Sequence, residues 1–272
     1  MPELPEVETV VRAIRPDVVG HTIHSAWMDW PNCLQTPDPA TFLARIQGQT
    51  IQQVTRRAKY ILLQLSHDWL LIHLKMSGRL YVIPDDQNVR DDQWVHFRFQ
   101  LENQHQLRFS DARKFGRVYL TPDLDSILGG LGPEPLEERF TLDVFQGQLA
   151  QRRGVIKPLL LNQTVIAGVG NIYADEALHY AHIAPLRRAE SLQADEIQRL
   201  YEGIKLVLTK GIERQGASIG WYRQPNGEPG TMQDDFLAYD REGQACLTCG
   251  QGRIRKIVVG QRGTHYCPHC QK

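Results

Sequence analysis

Met1-Pro2-Glu3-Leu4-Pro5-Glu6-Val7-Glu8-Thr9-Val10 crowds two prolines and two carboxylates into the first six positions of the chain. Val7, Val10, Val11, Ile14 and Val18 follow at three- and four-residue spacing, which predicts an amphipathic helix over Glu6–Val18. Pro5 suits the first helical turn, where a missing N–H costs nothing. Glu3, Glu6 and Glu8 suit the positive end of the helix dipole. A chemical reading stands beside this structural one. Removal of Met1, usual ahead of a small residue, makes Pro2 a free secondary amine. An α-amino group has a reference pKa of about 7.7–8.0, so part of it is unprotonated at neutral pH. Such an amine can attack an aldehyde-like carbon and form an iminium, and Glu3 and Glu6 stand close enough in sequence to move protons. The ten residues by themselves leave both readings open.

Outward from this helix the pattern changes. Thr50–Ser66, Trp69–Ile83, Trp94–Leu101, Gln106–Ser110 and Val118–Leu120 are rich in β-branched and aromatic residues. They are broken at turn-like stretches such as Ser77-Gly78 and Pro84-Asp85-Asp86. Short antiparallel strands in a β-sandwich or barrel are predicted. Gly129-Gly130-Leu131-Gly132-Pro133-Glu134-Pro135 reads as a linker. Beyond it, Thr141–Gln151, Asn171–His182 and Ala194–Gln215 carry helical periodicity, and Gln215–Glu228 reads as a mobile loop. The boundaries expected are 1–132 for an N-terminal β-sandwich catalytic domain with a leading helix, 133–240 for a helical domain, and 241–272 for a cysteine-bearing unit. There is no internal repeat.

The 272 residues carry 31 cationic and 31 acidic side chains, so net charge neither favours nor excludes a polyanionic partner. Distribution says more: Gln251–Lys272 holds Arg253, Arg255, Lys256, Arg262 and Lys272 and no acid. Such segregation can build a basic face, although scattered solvated charges give the same composition. No apolar run reaches transmembrane length and no secretory signal is visible. The expected location is cytoplasmic.

Cys246-x-x-Cys249 and Cys267-x-x-Cys270 are separated by seventeen residues. Two such pairs match a tetrahedral thiolate site for one structural zinc ion, closed by four ligands and so without a catalytic position. The remaining Cys33 reads as a plain thiol. Arg253 to Arg262 between the pairs reads as strand, turn and strand with cations at the turn, suited to phosphates.

Several blocks occur together in this order: MPELPEVETV, Arg57-Ala58-Lys59-Tyr60, His73-Leu74-Lys75-Met76-Ser77-Gly78, Asp111-Ala112-Arg113-Lys114-Phe115-Gly116, Gly168-Val169-Gly170-Asn171-Ile172-Tyr173 and the final Cys-x-x-Cys-Gln. With them the chain resembles the formamidopyrimidine-DNA glycosylases, bacterial enzymes that remove oxidised purines, from Pro2 to Gln271. The resemblance implies a β-sandwich with a leading helix, a helix–two-turn–helix domain, a zinc-finger hairpin, and DNA in the cleft between the halves. It implies a monomer acting in the nucleoid on double-stranded DNA that contains oxidised bases or abasic sites, with no membrane partner. The implied catalytic set is Pro2 as nucleophile at C1′, Glu3 as acid/base, Glu6 as a supporting carboxylate, the lysine Lys59, and Arg262. The implied outcome is base loss followed by β,δ-elimination. Met76, Arg113 and Phe115 match residues that fill the void left by a flipped nucleotide. Lys157, His73 and Arg262 match phosphate contacts, and Asn171 at a helix start matches another. Read without the family, Met76 and Phe115 would suit a core, and Asn171 an ordinary helix cap.

Gly216-Ala217-Ser218-Ile219-Gly220-Trp221-Tyr222-Arg223 departs from the family's usual text, in which consecutive Ser/Thr residues and an Arg-Asp-Tyr type run are common. This loop is implied to cover the flipped base, so the departure is expected to alter lesion preference and spare the lyase step. An endonuclease VIII-like enzyme acting on oxidised pyrimidines is the nearest alternative; Leu4, where that relative typically has Gly, and the Arg113-x-Phe115 pair speak against it. A non-catalytic DNA-binding zinc protein would not need Pro2, Glu3 and Lys59, all of which are present.

Overall fold

The computed structural model describes residues 1–85 and 92–272; Asp86, the last residue of the turn-like Pro84-Asp85-Asp86, lies outside the described residues. The chain divides into two units, one formed by residues 1–130 with 215–230 and the other by 131–214 with 231–272. The division falls inside the Gly129–Pro135 stretch. Among the described residues, no helix is long and apolar enough to cross a membrane.

The first unit begins with α1 (Leu4–Val18), which buries Val7, Val10, Val11, Ile14 and Val18 along one stripe. Its strands are β1 (Ile23–Met28), β2 (Leu34–Thr36), β3 (Ile51–Arg57), β4 (Tyr60–Leu65), β5 (Trp69–His73), β6 (Gly78–Pro84), β7 (Val95–Leu101), β8 (His105–Asp111) and β9 (Arg117–Thr121). They form a four-stranded sheet in the order β1-β7-β8-β6 and a five-stranded sheet in the order β2-β9-β5-β4-β3. One core joins both sheets and the helix: Phe97, Phe99, Leu107 and Phe109 from one, Ile61, Leu63, Leu70, Ile72, Val118 and Leu120 from the other. Inward apolar residues at alternating strand positions make this the predicted sandwich. Two apolar stretches each proved to be two strands. Thr50–Ser66 reverses between β3 and β4, with Arg57 paired to Tyr60, and Trp69–Ile83 passes from β5 in the five-stranded sheet to β6 in the four-stranded one. The prediction also missed β1, β2 and the helix α2 (Pro39–Ile46), which packs Phe42 and Ile46 into the same core. A short helix α3 (Asp125–Leu128) closes the contiguous part.

The second unit contains α4 (Leu142–Ala150), α5 (Ile156–Leu161), α6 (Asn171–Tyr180), α7 (Ala194–Glu213), β10 (Arg255–Val259) and β11 (Arg262–Tyr266). Between α5 and α6 the chain makes two turns that Gln163 zips together. Its Nε2 donates to the Val169 carbonyl at 2.9 Å, and its Oε1 accepts the Gly168 N–H at 2.9 Å. This is the expected helix–two-turn–helix. β10 and β11 pair antiparallel across Gly260-Gln261, both with positive φ, the geometry of a type I′ hairpin turn.

Helix α6 carries a buried polar stripe. Glu176 accepts the Leu237, Ala238 and Tyr239 N–H groups at 2.9, 2.9 and 2.7 Å, fixing the chain just ahead of the cysteine unit. His179 meets Gln271 Oε1 through Nδ1 at 3.0 Å and Thr248 Oγ1 through Nε2 at 2.8 Å. The cysteine-bearing segment is therefore fastened to α6 by polar contacts that its own small core cannot replace. Replacing Glu176 with Ala leaves one buried and two part-buried N–H groups without their acceptor; a loss of roughly 2–4 kcal/mol in denaturant-induced unfolding is expected.

Candidate active site and metal centre

In the first unit the centre is built on the start of α1. Glu3 is the extended N-cap residue, and its N–H donates to Glu6 Oε2 at 2.8 Å. The other oxygen of Glu6 accepts the Ala217 N–H at 2.8 Å. Pro2, Glu3 and Glu6 are all buried. A single carboxylate thus fixes the helix start and the 215–230 segment together. Gly216 makes the approach feasible: its φ is +82°, and a Cβ there would lie 2.8 Å from Glu6 Cγ. Tyr222 anchors the same segment in the core, its hydroxyl donating to the Gln215 carbonyl at 3.1 Å. Burial, and then the Glu6 charge, pushes that phenol well above its ordinary range. The segment predicted as a mobile loop is irregular but internally bonded: Gln224 Nε2 donates to Gln215 Oε1 at 2.9 Å and to the Pro229 carbonyl at 3.0 Å, and the Gly230 N–H donates to Ser218 Oγ at 2.8 Å.

Lys59 sits in the β3–β4 turn behind Ala58, whose φ of 53° is left-handed, and it is buried. Arg56 ties this turn to α1. Its Nη1 donates to the Ala58 carbonyl at 3.0 Å and its Nε to Glu8 Oε2 at 3.2 Å. His73, at the end of β5, is buried edge-on to Tyr60. Burial, followed by the charges of Lys75 and Lys59, pushes its pKa down to about 3. Nδ1 accepts the Lys75 N–H at 3.0 Å, which fixes the neutral tautomer with hydrogen on Nε2. Lys75 itself is lowered by burial and by Arg117.

Two neighbouring turns present the remaining residues expected here. Met76 is 39% and Phe115 46% exposed, which excludes the core reading for both. Arg113 lies over the Phe115 ring at 4.8 Å. Both turns are organised by Asp111, whose carboxylate is fully buried. Oδ1 accepts Ser77 Oγ at 2.5 Å and the Arg113 N–H at 3.2 Å; Oδ2 accepts the Gly116 N–H at 2.6 Å. Asp111 opens the Asp111–Gly116 motif, but nothing in its local sequence marks it as the shared acceptor of both turns.

In the second unit Lys157, expected at a phosphate, is bonded within the protein. Its ammonium is wholly buried and donates to Asp175 Oδ1 at 2.5 Å, Thr264 Oγ1 at 2.7 Å and the Gly263 carbonyl at 3.4 Å. Its charge is met by Asp175, and its bonds hold β11 on the helical frame. Asp175 Oδ2 accepts the His265 N–H at 2.8 Å from the same strand. Asn171 is the first residue of α6 behind the extended N-cap Gly170, so it is not the cap; its Nδ2 donates to the Gly263 carbonyl at 2.9 Å. Arg262 is exposed beside the hairpin turn. Asp175, which holds the hairpin, and His179, which holds Thr248 and Gln271 beside the cysteines, are legible in the sequence as polar side chains at i+4 and i+8 from Asn171 on its helix face.

The sulfur atoms of Cys246, Cys249, Cys267 and Cys270 lie within 4.8 Å of one another. Cys246 and Cys270 are 3.8 Å apart, as are Cys249 and Cys267. Four thiolates about 2.3 Å from a tetrahedral zinc stand roughly 3.8 Å from each other, so the set fits one structural zinc ion. The Gly252 N–H donates to Cys249 Sγ at 3.4 Å, and that donor with its Gln251 neighbour pulls the thiol down to about 6. A Cβ at Gly252 would lie 2.5 Å from Cys267 Sγ.

Family models match nearly the whole chain: a formamidopyrimidine-DNA glycosylase N-terminal domain over 1–118, the H2TH domain of the same enzymes over 131–222, and a zinc finger found in FPG and IleRS over 243–272. The chain belongs to the formamidopyrimidine-DNA glycosylase family. The family's enzyme from Herpetosiphon aurantiacus is 46% identical, with all of both chains covered. That from Chloroflexus aurantiacus is 47% identical, covering all of this chain and 98% of its own. Among solved structures, Thermus thermophilus MutM (Fpg) superposes with a TM-score of 0.88 at 39% identity, covering 99% of this chain and 98% of its own. A Lactococcus lactis Fpg mutant bound to DNA containing Fapy-dG gives 0.91 at 36% identity, with both chains covered in full.

Two outcomes follow for this member of the family. Purified protein should carry one zinc per chain, and Cys249→Ala should lose it and unfold the 243–272 segment, as metal analysis and circular dichroism would register. For His73, a folded pKa near 3 against about 6.5 unfolded means its contribution to stability is complete above pH 6.5 and is lost as pH falls towards 3. His73→Gln should therefore flatten the unfolding free energy across that window; an unchanged slope would contradict the assignment.

Proposed function

We propose that this chain excises oxidised purines, 8-oxoguanine and formamidopyrimidines, from double-stranded DNA and then cleaves the abasic site through a Schiff base on Pro2. What carries the reading is the buried start of α1, where Glu6 braces both the Glu3 N–H and the Ala217 N–H beside Pro2. A nucleophile held this way loses little freedom on attack. Support for the substrate comes from relatives solved with DNA carrying Fapy-dG, an abasic site or carbocyclic 8-oxo-G.

With Met1 removed, the Pro2 nitrogen attacks C1′ and expels the base. Glu3 delivers and recovers protons as the sugar ring opens. The iminium acidifies C2′, so loss of that proton expels the 3′ phosphate, and a second elimination expels the 5′ phosphate. Lys59 lies near the lesion phosphates. Glu6, with both oxygens occupied by backbone donors, acts as the positioning group. Met76, Arg113 and Phe115 enter the duplex where the nucleotide leaves it. His73 through Nε2–H, Asn171 and Arg262 hold phosphates, and binding should weaken steeply with salt. Lys157 supports the hairpin that presents Arg262.

Borohydride trapping on duplexes bearing 8-oxoguanine, formamidopyrimidine, an oxidised pyrimidine or an abasic site tests this. A covalent adduct is expected with the purine lesions and the abasic site, and it should vanish in Pro2→Gly; Glu3→Gln should slow base excision by about 10²–10⁴-fold. The intact mass of the active protein should be short by one methionine. Binding without any trapped species would identify a non-catalytic damage binder, and trapping confined to the pyrimidine lesion would overturn the substrate.

A further inference from the structure

Trp94 and Trp221 are exposed to 41% and 52%, yet their rings meet edge to face, with centroids 6.0 Å apart and planes at 87°. Trp221 is held towards that meeting by its neighbours. Tyr222 is buried, Gly220 takes a left-handed φ of 78°, and Arg223 Nη1 donates to the Gly220 and Tyr222 carbonyls at 3.2 and 2.6 Å. The turn is thus closed around one inward and one outward aromatic residue.

Trp94 is fixed from the other side. Its N–H donates to Asp92 Oδ1 at 3.1 Å, and its carbonyl accepts the Asp111 N–H at 2.8 Å. Asp111 is the residue whose carboxylate organises the turns bearing Met76, Arg113 and Phe115. The 215–230 loop therefore has two attachments. At Ala217 it rests on Glu6 and so on the reaction centre; at Trp221 it rests, through Trp94, on the anchor of the two exposed turns. An edge-to-face pair shifts a closed-to-open ratio by about 2- to 13-fold. That is enough to bias the loop and weak enough to let it open.

We propose that Trp94 and Trp221 form an aromatic clasp that seats the 215–230 loop for capture of a damaged nucleotide and couples its seating to the turns carrying Met76, Arg113 and Phe115. Both tryptophans are positioning residues, and the inference rests on the glycosylase reading above. The test compares wild type with Trp94→Ala, Trp221→Ala, the double variant and Trp221→Phe in single-turnover assays. One duplex carries 8-oxoguanine, and the other a preformed abasic site with no base for the loop to seat. Excision of 8-oxoguanine should fall about 3- to 10-fold in each alanine variant and no further in the double variant, because one contact is removed either way. Trp221→Phe, which keeps an edge contact, should restore most of the rate. Abasic-site cleavage should fall less than about 2-fold, with melting temperatures unchanged for residues so exposed. Losses that multiply in the double variant, equal losses on both duplexes, or no loss on either would overturn the clasp. Wild type unable to excise the base would instead sink the underlying glycosylase reading.

Discussion

The carboxylate of Glu6 is the constraint on which the centre depends. It is buried, and each oxygen takes one backbone N–H, from Glu3 at 2.8 Å and from Ala217 at 2.8 Å, positions more than two hundred residues apart in sequence. An N-terminus is ordinarily the least ordered part of a chain. Here the valine stripe of α1 binds it to the sandwich core and Glu6 completes the first turn, so the residue that would carry the amine directly precedes a helix cap. Removing Glu6 would leave two buried donors unsatisfied and untie the helix start from the 215–230 segment.

Asp111 makes a comparable economy at the two exposed turns. An exposed Met and Phe on separate loops would wander independently; one buried carboxylate gives Ser77, Arg113 and Gly116 a common acceptor, so the turns share a geometry. In the second unit the same device recurs on α6, where Asp175, Glu176 and His179 fasten chain segments whose apolar core is slight. In each case a charge or dipole is buried and fully bonded, an arrangement that specifies one conformation because any slip leaves a polar group bare.

Much of this was legible in the sequence. The valine spacing of α1, the β-branched stretches, the helical periodicity of α7 and the paired cysteines are local patterns, and local physics decides them. The reversal at Ala58-Lys59 left little mark in residue composition, because neither residue is a usual turn former; only the family resemblance implied a hairpin there. β1 and α2 were missed because they are short, six and eight residues, too brief for a periodic pattern to stand out against their surroundings. At the metal centre, the cysteine spacing pointed correctly to the four ligands. Partnerships could not be read, since Glu6 with Ala217, Trp94 with Trp221 and Lys157 with Asp175 join positions that only the fold brings together.

The account turns on which amine attacks the sugar. Peptide mapping by mass spectrometry of the borohydride-reduced adduct on 8-oxoguanine duplex would settle this. The account predicts the sugar remnant on the nitrogen of Pro2, in a peptide that lacks Met1. A remnant on the side chain of Lys59, or on a peptide that still begins with Met1, would contradict it.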